Sequence, residues 1–168
     1  MKEIKISGMG CQKCVDAVTA ALNDAEIQID ENLRNMYDMI INAINVIEKN
    51  DKNEYKIFKE IKDIKSDTLS SFELDRKLSK VYSTILEIGN DIQKLEKNRS
   101  YNSIKENLRV IEEKLIGLRS FYNKYVSEYN LLIKSFPSGF IAKLGSFKYK
   151  NHYDGKDLTD DILNDFKL

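Results

Sequence analysis

Between Leu108 and Phe136, apolar and aromatic side chains recur at Leu108, Ile111, Leu115, Leu118, Tyr122, Val126, Tyr129, Ile133 and Phe136. Steps of three and four keep that whole set on one face of a helix. Pro137 ends the run, because proline has no N–H and drives its predecessor out of the α region. Nothing nearby in sequence is apolar enough to cover so long a stripe. Other long helices must do it.

The chain supplies them. From about 12 to 48 a second stripe holds the same spacing through Val15, Val18, Leu22, Ala25, Ile29, Leu33, Met36, Ile40, Ile44 and Ile47. A shorter helix is expected over 52–65, with Tyr55, Phe58, Ile61 and Ile64 on one side. A third long one is expected over 72–97, where Leu74, Leu78, Val81, Ile85, Ile88, Ile92 and Leu95 alternate steps of four and three, a seam for near-parallel packing. Ser70 or Ser71 can cap it, with Glu73 in its first turn. Gly89 inside it should cost about 1 kcal/mol relative to alanine. The opening stripe completes the set at 101–136. Asn50–Asn53, Ser66–Thr68 and Asn98–Ser100 are short polar connections, which make neighbouring helices antiparallel. The expected fold is an all-α, up-and-down bundle of four main helices, a single domain over 12–168.

Residues 1–11 precede it as a short strand, Ile4–Ile6, and a glycine-bearing loop. Beyond Pro137 the chain is glycine-punctuated and aromatic, an irregular wrap in which Phe140, Phe147 and Tyr149 fold back over the bundle's end. Leu158–Phe166 has the pattern of a short helix capped by Asp157.

Charge narrows the function. The chain has 27 basic and 27 acidic residues and no net charge, so a nucleic-acid grip through bulk charge is not expected. No run approaches the roughly 20 apolar residues of a membrane span, and the N-terminus has no secretory h-region. A cytoplasmic location follows as an expectation, with two cysteines more suited to thiol or metal chemistry than to a structural bridge. The single histidine, His152, lies in the tail. It leaves no inward Glu-x-x-His pairs for a di-iron site and no Ser-His-Asp or Cys-His set. No phosphate-binding glycine loop is present either. The chain does not read as an enzyme.

Two features could bind something. Cys11 and Cys14 stand three apart, so two thiolates can converge on one soft ion such as Cu(I). Two ligands do not complete a tetrahedral zinc site, so zinc would need a site shared between chains. The start of a helix lowers a thiol's pKa, Lys13 favours the thiolate, and dithiol redox work is the other use of such a pair. Tyr122-Asn123 and Tyr129-Asn130 recur seven apart along one helical edge. That edge is either a polar groove for a partner or, as favoured here, a hydrogen-bonded seam that sets helix register.

These residues also carry a resemblance. Ile29-Asp30, Leu33, Tyr37-Asp38, Ile40 and Asn42 in the first helix match a signature of the LemA family of bacterial helical-bundle proteins. So do Glu112, Arg119, Tyr122-Asn123, Val126, Tyr129-Asn130 and Phe136-Pro137, with Ile141-Ala142, Phe147-Lys148 and Tyr153 beyond. From about 25 to 154 the chain therefore resembles LemA. Ile41 stands where the family has proline, Asn35-Met36 where it has a basic pair, and Ile92-Gln93 where it has Tyr-Pro. The resemblance implies a helical bundle without an established activity. It also implies membrane association as the alternative location, through a partner here, since the anchor with which relatives begin is absent. A non-catalytic scaffold or interaction protein with protein partners follows, its oligomeric state open. Separately, Gly8-Met9-Gly10-Cys11-Gln12-Lys13-Cys14 resembles the opening of a heavy-metal-associated domain, over about the first 22 residues. That second resemblance implies a soft-metal binding protein as the alternative function, with Cys11 and Cys14 as ligands.

Overall fold

The stripe that begins at Val15 belongs to one unbroken helix, α1, Gln12–Asn50. The computed structural model describes residues 12–134 and 148–153, leaving aside the side chains of 12–15. After α1 come α2 (Lys56–Lys62), a 3-10 turn (Ser66–Thr68), α3 (Ser71–Asp91), α4 (Gln93–Glu96) and α5 (Arg99–Lys134). The fold is an all-α bundle, and the described residues contain no strand. The strand expected at Ile4–Ile6, the stop at Pro137, the folding back of Phe140 and Phe147, and the helix at Leu158–Phe166 all lie outside the described residues.

The chain forms two units. Among the described residues, one combines 12–30 with 115–134 and 148–153, and the other is 31–114. The early part of α1 thus shares a unit with the late part of α5, and the late part of α1 with the early part of α5.

In the first unit Val18, Leu22, Ala25 and Ile29 of α1 are buried, as are Leu115, Leu118, Tyr122, Val126 and Tyr129 of α5. In the second, Leu33, Met36, Ile40, Ile44 and Ile47 of α1 are buried, with Phe58, Ile61, Leu74, Leu78, Val81, Ile85, Leu95, Tyr101 and Leu108. Each large apolar side chain so placed contributes about 1.5–3 kcal/mol. The three-and-four spacing is what collects them on one face.

Two helices differ from the sequence expectation. The second is not 52–65 but α2 at Lys56–Lys62, because Asp51 holds the chain before it in a turn. Its carboxylate accepts from the Asn53 backbone N–H at 3.2 Å and from the Tyr55 hydroxyl at 2.6 Å. Such side-chain bonds compete with the helix for the same backbone groups. The Tyr55 hydroxyl, as the main cause, holds the Asp51 carboxyl below its ordinary pKa. The third helix is not continuous over 72–97. It breaks at Ile92, whose backbone is extended (φ −97°, ψ 98°), and α4 follows as a single turn that buries Leu95. Gly89-Asn90-Asp91, three poor helix formers in a row, precede the break.

The start of α3 is as the sequence implies, while α5 begins at Arg99, inside the stretch read as a turn. Ser70 caps α3 in a reciprocal box with Glu73: Ser70 Oγ accepts from the Glu73 N–H at 3.3 Å, and the Glu73 carboxylate accepts from the Ser70 N–H at 3.0 Å. Asn98 Oδ1 accepts from the Tyr101 N–H at 3.0 Å and so caps α5.

Candidate functional site

The Tyr-Asn edge of α5 faces residues 148–153, which form neither helix nor strand. Residues seven apart on a helix are separated by about 10.5 Å along its axis. Three residues of extended chain cover about 10 Å. Asn123 and Asn130 are therefore spaced to meet two residues three apart, and they meet Tyr153 and Lys150. Asn130 Nδ2 donates to the Lys150 carbonyl at 2.9 Å, and its Oδ1 accepts from the Lys150 N–H at 3.1 Å. Asn123 does the same for Tyr153, at 2.6 Å to the carbonyl and 2.8 Å from the N–H. Each carboxamide presents the donor and acceptor that a neighbouring strand would present. The edge expected to set register between helices instead bonds this segment through both asparagines.

Between the asparagines the tyrosines complete the site. The Tyr129 hydroxyl donates to the Lys148 carbonyl at 3.0 Å. The Tyr122 hydroxyl donates to Glu26 Oε1 of α1 at 2.6 Å. Both rings are buried, as their place in the stripe predicts. Burial first, and then the Glu26 acceptor, push the Tyr122 phenol far above its ordinary pKa. Burial and the Glu26 charge also raise that of Tyr129. Both are neutral donors near neutral pH and cannot serve there as general bases.

Glu26 has a second role. Lys150 Nζ lies 2.9 Å from both of its carboxylate oxygens and 3.2 Å from Asn23 Oδ1. The two charged side chains are only 19% and 32% exposed, so the pair is shielded from solvent more than a surface bridge is. Tyr153 packs its ring edge-on against Tyr122, centroids 5.1 Å apart, and is buried. Tyr149 is 54% exposed, with Lys134 Nζ 5.0 Å from its ring centre, so it does not form the close cover expected of it.

His152 enters here in a way the sequence does not reveal. Its Nε2 lies 2.9 Å from Ser127 Oγ, which also donates to the Asn123 carbonyl at 3.3 Å. Ser127 is exposed. The neighbouring groups are amide and main-chain atoms already bonded to one another. A nucleophile needs its base oriented by a third group and an acceptor site for the developing charge. The pair reads as one more tie on the segment.

The later residues of the α1 signature, from Leu33 to Asn42, belong to the second unit. Tyr37, Asp38, Asn42, Asn45, Ile41 and Lys62 line an open cleft of about 710 Å³. Tyr37 is committed to structure: its hydroxyl donates to the Ile64 carbonyl at 3.0 Å, while Arg34 Nη1 donates to the Ser66 carbonyl at 2.5 Å. Together these hold the 3-10 turn onto α1. The Asp38 carboxylate and the Lys62 ammonium also stand on the cleft wall, the latter paired with Glu48 at 2.5 Å. Cys11 lies outside the described residues, as does the side chain of Cys14, and so does the expected thiol site. Among the described residues no group of three His, Cys, Asp or Glu side chains could hold a metal ion. No described helix is long and apolar enough to cross a membrane.

The model of the LemA family matches residues 25–162. The chain belongs to the LemA family. That span takes in the cleft, the Tyr-Asn edge and the segment seated on it, and begins after Cys11 and Cys14. No curated protein and no solved structure matches this LemA chain. The Lys150–Tyr153 contact was the feature sequence reasoning missed. Its trace was present in the seven-residue repeat of Tyr-Asn and in Tyr153 among the LemA-like tail residues, but neither names the other.

Proposed function

We propose that this LemA protein is a non-catalytic interaction scaffold that holds extended segments by their main chain. The observation that carries the reading is the pair of two-point contacts from Asn123 and Asn130 to Tyr153 and Lys150. A device that satisfies backbone donors and acceptors in register supplies affinity with little demand on side chains, as strand addition does. The surrounding groups support binding rather than reaction, since the buried phenols are neutral and already bonded. Protein partners fit such an edge. The test compares what the native chain and an Asn123→Leu, Asn130→Leu variant retain from their own cells. A partner held by the native chain and lost by the folded variant is expected. An identical set retained by both removes this edge as the binding surface.

A second reading concerns Cys11 and Cys14 as a Cu(I) site. It is supported by their spacing and by the start of α1 at Gln12, which puts Cys14 in the first turn of a long helix. Competition with a Cu(I) chelator decides it: the native chain should retain copper that a Cys11→Ser, Cys14→Ser variant releases.

A further inference from the structure

The segment on the Tyr-Asn edge is held by paired main-chain bonds at two positions, beside the lesser contacts of Tyr129 with the Lys148 carbonyl, Ser127 with His152 and Lys134 with the Tyr149 ring. At 150 the site takes a main-chain pair and a cationic head, and at 153 a main-chain pair and an aromatic ring. Lys148, Tyr149 and Asn151 are exposed. Every recognising group stands on α1 or α5, and the segment has no helix or strand of its own. The site thus carries a short code: a chain with lysine at one position and tyrosine three residues later.

We infer that the Tyr-Asn edge is also a docking site for a second copy of this chain, which inserts its own Lys150–Tyr153 segment. This rests on the edge being a binding surface, as proposed above, and names its partner. A second copy is the one partner whose complementarity is already on the page, because it carries the same four residues. Glu26 supplies the negative charge that meets its lysine, and Tyr122 the face that meets its tyrosine. A reciprocal exchange conserves every contact, which is why swapping an identical element is an accessible route to dimers. The chain's own segment competes at an effective concentration of about millimolar, so exchange in the native protein requires high protein concentration.

Two complementary variants test this. Asn123→Leu, Asn130→Leu leaves the segment intact and disables the edge. Lys150→Glu, Tyr153→Ala leaves the edge intact and disables the segment, the new carboxylate facing Glu26. Light scattering after size exclusion should find each variant monomeric alone and a one-to-one heterodimer on mixing. Freed of its own competitor, the mixture should pair at a concentration at least tenfold below that at which the native chain dimerises. A mixture that stays monomeric up to millimolar concentration overturns the inference. If the native chain still retains an edge-dependent partner from its cells, the scaffold reading survives that result. Should either variant lose its helical circular dichroism, the native chain decides the matter. Copies carrying two different isotope labels, mixed at millimolar concentration, should show contacts between Asn130 of one and Lys150 of the other. Their absence is equally fatal.

Discussion

Gly89 looks like a weakness in α3 and is the reverse. A Cβ there would stand 1.8 Å from the Tyr101 hydroxyl and 2.4 Å from the ring carbon bearing it. The bare backbone lets Tyr101 lie against α3 and donate to the Ile85 carbonyl at 3.0 Å. That carbonyl is one helical turn before Gly89. Burial raises the Tyr101 phenol above its ordinary pKa, as expected for a ring sealed on a helix. Alanine at 89 would gain about 1 kcal/mol in helix propensity but must displace a buried ring, and overpacking of that kind costs about 1–3 kcal/mol. Gly89→Ala is therefore expected to lower stability in a denaturant melt. Adding Tyr101→Leu should make the loss smaller than the sum of the two single losses, since the residues collide directly. Strict additivity would mean the ring escapes without cost. From sequence only the propensity half of this balance is visible, because Tyr101 is twelve residues away on another helix.

At the level of elements, the break at Ile92 and the continuity at Ile41 make a matched pair. In both places this chain lacks a proline that the LemA pattern carries. At 93 the geometry is still that of a proline site. Ile92 is extended and Gln93 opens α4, the position where a missing N–H costs nothing. At 41 the opposite holds, since α1 runs straight through. Gln93→Pro is expected to be neutral or to stabilise by about 0.4–1 kcal/mol, whereas Ile41→Pro should cost about 3 kcal/mol or more. Thermal melts of the two variants check this, and equal effects would contradict the assigned break. The regular parts of the bundle were legible because burial imposes a period that can be counted from Val18 to Ile47 or from Leu108 to Ile133. The ends of α2 and α3 were not. They are set by competition between local bonds, such as Asp51 with Tyr55, and packing that brings Leu95 into the core. For the same reason the Tyr-Asn edge was visible as a repeat while its occupant was not.

For the whole molecule, several buried phenols point to alkaline pH as the condition that dismantles it. Tyr122, Tyr129 and Tyr101 all have pKa values raised above the ordinary tyrosine value, with burial the first cause in each. A raised value in the folded state favours the neutral form there. That contribution is complete below about pH 10, where an unfolded tyrosine begins to ionise, and is lost as pH rises through the folded values. Phenolate absorbance and helical circular dichroism followed together should separate the nine tyrosines into two classes. Exposed rings should ionise with the helices intact, and buried ones only as the helical signal disappears. Uniform ionisation with an undisturbed helical signal would show that the three phenols are not sealed.

The two asparagines hold main-chain atoms, which every amino acid except proline supplies in full. Neither asparagine reads the side chains at 149 and 151, and Tyr149 meets α5 through the exposed Lys134 ammonium, while Lys150 and Tyr153 answer to the shielded Glu26 and Tyr122. Over generations the segment is free to acquire new side chains at its outward positions without loosening its seat. Among descendants of this gene, 149 and 151 should wander while 150 and 153 stand still. A solvent-facing pair fastened this way is a place where lineages can try out new surface chemistry at little risk to the fold.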